Sequence, residues 1–91
     1  MQRIVYLESD SVIAAVRRPA FAHDWVEYPM TAPEQVVERL QAASIAIVNK
    51  VPLPAAAVDA LPDLKMVAVA ATGTNMVDLD ACRKRGIVIS N

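Results

Sequence analysis

Glycine is almost missing from this chain: its 91 residues include two, Gly73 and Gly86. No G-x-G-x-x-G can be built from that pair, so a dinucleotide pyrophosphate finds no glycine turn on which to approach the backbone closely. Cysteine is scarcer still. With Cys82 alone, neither an internal disulfide nor a thiolate metal cluster can form within one chain. The thiol reads as a packed core group, because no histidine stands near it to activate it. A lone unpaired thiol suits a reducing compartment, and the cytoplasm is the expected location. His23 is the only histidine and reads as an ordinary loop or turn residue. Phe21, Trp25 and Tyr28 read as packing residues rather than as an aromatic platform for a ligand.

Strong charge of either sign is lacking as well. Nine basic residues stand against ten acidic ones, for a formal charge of −1. The one basic cluster, Arg83-Lys84-Arg85, falls where a helix should end, and positive charge there complements the helix dipole. Neither a nucleic acid nor an anionic membrane surface is expected as a partner. The longest apolar run, residues 66–71, is far short of the roughly 18 residues needed to cross a bilayer. The amino-terminal stretch MQRIVYLESD meets Glu8 and Asp10 too soon to be a signal peptide. A soluble protein is expected.

What the chain has in quantity is aliphatic bulk. Hydrophobic residues make up 55% of it, mostly Ala, Val, Ile and Leu, a composition that suits helices packed on a strongly apolar sheet. A single domain of this length buries somewhat over about 60% of the surface its unfolded form exposes, enough for one core. No repeat, low-complexity segment or linker divides it.

The elements follow from the pattern. Residues 4–7 form an unbroken apolar run, as expected of a central strand covered on both faces. Ser9 or Asp10 then caps a helix through Val12, Ile13 and Val16, ended by Pro19. Residues 25–28 alternate and stop at Pro29, the signature of an edge strand. Thr31 and Glu34 fit a capping box before a helix with Val36, Val37 and Leu40 on its apolar stripe. Residues 45–48 form a third strand. The prolines at 52 and 54 delay a short helix over residues 55–60, which Pro62 breaks. Residues 66–70 and 87–89 supply the fourth and fifth strands. Between them Asp78 opens a helix, with Asp80 in its first turn, and Gly86 closes it. Two carboxylates at that spacing suit a helix dipole better than a metal.

Strands and helices in alternation predict an α/β fold: a flavodoxin-like open parallel five-stranded sheet of order 2-1-3-4-5, with helices on both faces. In such sheets ligands sit outside the carboxyl ends of the strands. Two loops should open there. The one after the fourth strand holds Thr72, Gly73 and Thr74, where a glycine lets a planar carboxylate approach main-chain N–H groups. The one after the third holds Asn49, a hydrogen-bonding side chain, and Lys50, a source of positive field. These five residues are the expected substrate-binding set.

The run from Ala71 through Thr72, Gly73, Thr74 and Asn75 to Asp80, followed by Arg85-Gly86-Ile87 and Ser90-Asn91, resembles the end of the substrate-binding domain of D-2-hydroxyacid dehydrogenases. Within that family it looks most like the glycerate dehydrogenases, or hydroxypyruvate reductases. The likeness extends over essentially the whole chain and is strongest from Ala46 onward. It implies a 2-keto or 2-hydroxy acid such as hydroxypyruvate or glyoxylate as substrate and NAD or NADP as cofactor. It also implies that the main-chain N–H groups of Thr72, Gly73 and Thr74 hold the substrate carboxylate. The family's nucleotide-binding domain, with its glycine fingerprint, and its catalytic arginine, glutamate and histidine match nothing in residues 1–91. The chain alone is therefore expected to bind no cofactor, to be inactive and to be monomeric, with the intact protein a homodimer. Two other readings share the topology. One is a catalytically inactive α/β fragment or anion-binding module. The other is a phospho-receiver domain, which Glu8, Asp10 and Thr72 fit loosely, but Asn49 stands where its phosphorylated Asp belongs and Ser90 where its Lys belongs.

Overall fold

The computed structural model describes residues 2–9, 23–70 and 77–90. Strand β1 (Gln2–Tyr6) is an interior strand, with Ile4, Val5 and Tyr6 buried. It is flanked by β2 (His23–Glu27) on one side and β3 (Ile45–Val48) on the other, and β4 (Met66–Val69) and β5 (Val88–Ser90) follow. The order is β2-β1-β3-β4-β5 and every pairing is parallel. This is the order read from the alternation of strand and helix patterns.

Because strand side chains alternate between faces, the apolar runs divide into two sets. Val5 and Leu7 from the β1 segment, Ala46 and Val48 from β3, and Val67 and Val69 from β4 enter the main core. All three helices among the described residues add to that core. Helix α1 (Val36–Leu40) contributes Val36 and Leu40, α2 (Ala55–Asp59) contributes Ala57 and Val58, and α3 (Leu79–Lys84) contributes Ala81 and Cys82. On the other face lies a smaller cluster of Ile4, Tyr6 and Ile47, edged by Trp25, Ile45 and Ala68. Trp25 meets Tyr6 edge-on at 6.2 Å. Burial lifts the Tyr6 phenol above its ordinary value, and the carboxylates of Glu27 and Glu8 push it the same way. The helix expected through Val12, Ile13 and Val16, and with it the test of helices on both faces, lies outside the described residues.

Helix α3 ends as its sequence requires. Asp78 accepts from the N–H of Ala81 at 3.0 Å. At the other end Gly86 adopts φ +70°, its N–H donates to Arg83 O, and the N–H of Ile87 reaches back to Cys82 O at 2.9 Å. That double closure is a Schellman motif, which needs a left-handed residue where glycine stands. Arg83 and Lys84 fill the last turn, and Arg85 donates to Val58 O, tying α3 to α2. Burial pushes the Cys82 thiol up, with Asp78 adding to the effect and Arg85 opposing it, as a packed thiol should behave.

Two local expectations are corrected. The capping box expected from Thr31 and Glu34 does not form, and only its backward half appears, one residue later, at Ala32 and Gln35. A 3-10 turn at Pro33–Gln35 leads into α1, the N–H of Ala32 donates to Gln35 Oε1 at 3.0 Å, and the N–H of Gln35 donates to Ala32 O. Thr31 is diverted: its hydroxyl donates to Leu7 O and accepts from Arg39, each at 2.7 Å. His23 is not in a loop but opens β2, opposite Gln2.

Candidate functional site

Beyond the carboxyl ends of β1 and β3 the chain does something its local sequence does not announce. Glu8, two residues past β1, is buried at 8% exposure. Its carboxylate receives three consecutive main-chain N–H groups of the loop after β3. Asn49 donates to Oε2 at 2.6 Å, Lys50 to Oε2 at 2.8 Å, and Val51 to both oxygens at 3.1 Å. Successive N–H groups converging on one point form a nest for an anion. Bonds to a charged acceptor contribute roughly 1.5–3 kcal/mol each, and a buried carboxylate without such partners would be strongly destabilising.

Glu8 is held from below. The N–H of Leu7 donates to Ile47 O, Tyr28 donates to Tyr6 O, and Ser9 donates to Tyr28 O. Thr31 closes on Leu7 O, and Arg39, which donates to Thr31 and to Met30 O, lies 4.0 Å from the centre of the Tyr28 ring. The loop is held from its other end too. Val51 and Leu53 are buried, and Leu53, between two prolines, forms an isolated parallel bridge with Val77.

That bridge joins the loop after β3 to Val77, the first described residue after the connection that follows β4. Thr72, Gly73 and Thr74 lie outside the described residues, but both flanks of their connection are tied to β3 and its loop. Ala70 donates to Val48 O at 2.8 Å on the way in, and Asp78 donates to Leu53 O at 3.0 Å on the way out. Asn49 is buried and Lys50 is exposed. Both stand at this edge, with their main-chain N–H groups committed to Glu8.

Sequence reasoning missed Glu8 as a constituent of the site, using it only against a signal peptide and as a loose match to a phospho-receiver domain. The available signal was an acid directly after a central strand, which the parallel topology places beside the loop after β3. It also missed Thr31 and Arg39 as supports of the same edge. Of the two glycines, Gly86 ends a helix rather than opening one after a strand, so it cannot serve a pyrophosphate. Among the described residues no group of three or more His, Cys, Asp or Glu is placed to hold a metal ion, and no helix is long and apolar enough to cross a membrane.

An all-parallel five-stranded sheet of order β2-β1-β3-β4-β5 with helices packed on it defines an open α/β domain. The family description "D-isomer specific 2-hydroxyacid dehydrogenase, catalytic domain" matches residues 5–91, and the chain belongs to that family. It is 48% identical over 91 residues to a glycerate dehydrogenase of Methylorubrum extorquens, covering 99% of this chain and 29% of that protein. It is 36% identical over 62 residues to a hydroxypyruvate reductase of Blautia hydrogenotrophica, covering 68% of this chain and 19% of that one. The fold is shared with the NAD+-bound 3-phosphoglycerate dehydrogenase of Entamoeba histolytica. There the TM-score is 0.74 at 22% identity, over 97% of this chain and 32% of the other. The chain thus spans less than a third of the length of these relatives.

Proposed function

We propose that this chain is the substrate-positioning part of an NAD(P)-dependent enzyme that reduces a 2-keto acid, such as hydroxypyruvate or glyoxylate, to the D-2-hydroxy acid. The observation that carries the reading is the double tie, Ala70 to Val48 and Asp78 to Leu53, which fastens both flanks of the Thr72-Gly73-Thr74 connection at the ligand edge. Relatives named for glycerate and hydroxypyruvate support the choice of acid. In this reading the main-chain N–H groups of Thr72, Gly73 and Thr74 receive the substrate carboxylate, and Lys50 adds positive field beside it. The nicotinamide cofactor, when bound, accepts or supplies the hydride from a separate domain of the intact protein. Proton transfer belongs to side chains outside this chain, and self-association to a homodimer runs through that other domain. With only one wall of the cleft, residues 1–91 alone should hold the acid weakly and turn nothing over.

The test is made on the intact enzyme, by following oxidation of NADH and NADPH with hydroxypyruvate and glyoxylate. No turnover with either acid would overturn the reading. Gly73→Val should fill the carboxylate site and remove one or two charge-assisted bonds, raising KM about 10- to 100-fold. An unchanged KM removes Gly73 from the site.

A further inference from the structure

The nest after β3 has the geometry that elsewhere captures a phosphate or a carboxylate from solution, yet here a side chain of the same protein fills it. We propose that Glu8 is a positioning residue: a built-in anion that closes the Asn49, Lys50 and Val51 amides to the substrate and so directs the substrate carboxylate to the connection after β4. This deepens the function proposed above and rests on it.

Three observations converge. First, the contact is long-range and specific, joining residues 41 to 43 apart in sequence, with both carboxylate oxygens used. Second, Glu8 stands on a firm base, because the main chain on either side of it is bonded to β3 and to the segment after β2. Third, the loop it grips continues through Val51 to Leu53, whose carbonyl holds Asp78 and whose bridge holds Val77. Releasing Asn49-Lys50-Val51 would therefore disturb Lys50 directly and the exit of the β4 connection indirectly. It would also uncover a second set of amide donors able to compete for the substrate's carboxylate. Both effects misplace the acid without removing any group that contacts it in the proposed reading.

The experiment uses the intact enzyme with Glu8→Ala and Glu8→Gln, measuring kcat, KM for hydroxypyruvate and thermal midpoint, with wild type in the same buffers as reference. Glu8→Ala empties the nest. Its KM should rise about tenfold with kcat within about threefold, and acetate, in place of chloride, should lower KM and raise the midpoint toward wild type by refilling the nest. Glu8→Gln keeps the volume and one acceptor oxygen but sets an NH2 against an N–H. It should show a raised KM that acetate does not correct. A lowered midpoint with unchanged KM overturns the positioning role, and so does a raised KM in Glu8→Ala that acetate leaves in place. Should Glu8→Ala not accumulate as folded protein, Glu8→Gln decides: a raised KM at a near-native midpoint supports the proposal, and a native KM overturns it. If the wild-type enzyme reduces no 2-keto acid, the functional reading fails separately. Amide hydrogen exchange at residues 49–51 then decides whether Glu8 fills the nest, by becoming fast in Glu8→Ala and slow again in acetate.

Discussion

The two ends of this sheet solve the same problem with different chemistry. At the amino edge, where β1, β3 and β4 begin, the loops are sewn together by a neutral residue. Ser44 Oγ accepts from the N–H of Arg3 at 3.0 Å and donates to Arg3 O, while Ser44 O accepts from the N–H groups of Lys65 and Met66. At the carboxyl edge the corresponding job falls to a carboxylate, Glu8, gripping three amides. A hydroxyl paired with peptide groups leaves no charge behind. A carboxylate in a nest shows instead that the loop's donors are strong enough, and close enough together, to require an anion. The difference separates a carboxyl edge organised around a charge, the edge where ligands of open parallel sheets sit, from an amino edge organised without one, where a groove lined by Gln2, Ile45, Lys65 and Met66 opens.

The severest way to break this contrast is to remove the apolar pin of the carboxyl edge. Leu53 is fully buried, at 0% exposure, and its backbone carries both the bridge to Val77 and the bond from Asp78. Leu53→Ala should destabilise the fold by about 2–5 kcal/mol, the range for large-to-small core changes. In denaturant unfolding the midpoint should fall sharply, and in the intact enzyme KM should rise as well. A destabilised variant with native KM would mean that the β3 loop and the β4 connection are not mechanically joined.

A milder change sharpens the contrast from the other end. Ser44→Ala leaves Arg3 N–H without its hydroxyl partner at a partly buried position. The expected loss is about 1 kcal/mol, that of one neutral hydrogen bond, read as a small shift in the unfolding midpoint. KM for the 2-keto acid should not move. A raised KM would show that the amino edge takes part in binding and that the distinction between the edges is drawn in the wrong place.

Much of this arrangement is legible in the amino-acid sequence, for reasons that differ by element. The central strand announced itself because apolar residues 4–7 are covered on both faces, and the ends of α3 because Asp78 and Gly86 each have a local task that few residues perform. The strand order followed from short right-handed connections. What escaped was set by distance or by competition. Glu8 and Asn49 are 41 residues apart, and no local pattern encodes that meeting. Leu53 sits between two prolines, a context that argues against a ladder, yet a single bridge needs only one well-placed residue. Thr31 looked like a cap because Glu34 follows at the right spacing. Gln35, one residue on, reaches Ala32 instead, and Arg39 together with Leu7 O claims the threonine hydroxyl. The cap was decided by a contact with Leu7, just past β1 and 24 residues earlier, which outweighs spacing.

The smallest effect is expected where charge faces water at neither edge. Arg83 and Asp80, one turn apart on the outer side of α3, approach to 3.7 Å while remaining 80% and 83% exposed. Solvent screening and the entropy of holding two long side chains leave such pairs close to neutral. Arg83→Ala should therefore shift stability by less than about 0.5 kcal/mol, and the shift should shrink further in high salt because the pair is open to counter-ions. Glu8 sets the opposite case: a charge withdrawn from water and surrounded by donors, whose removal salt cannot mimic. Comparing the salt dependence of Arg83→Ala with that of Glu8→Ala separates the two kinds of charge. A large, salt-insensitive loss in Arg83→Ala would mean that α3 depends on its outer face, and that burial is not what distinguishes the carboxylate at the sheet's rim.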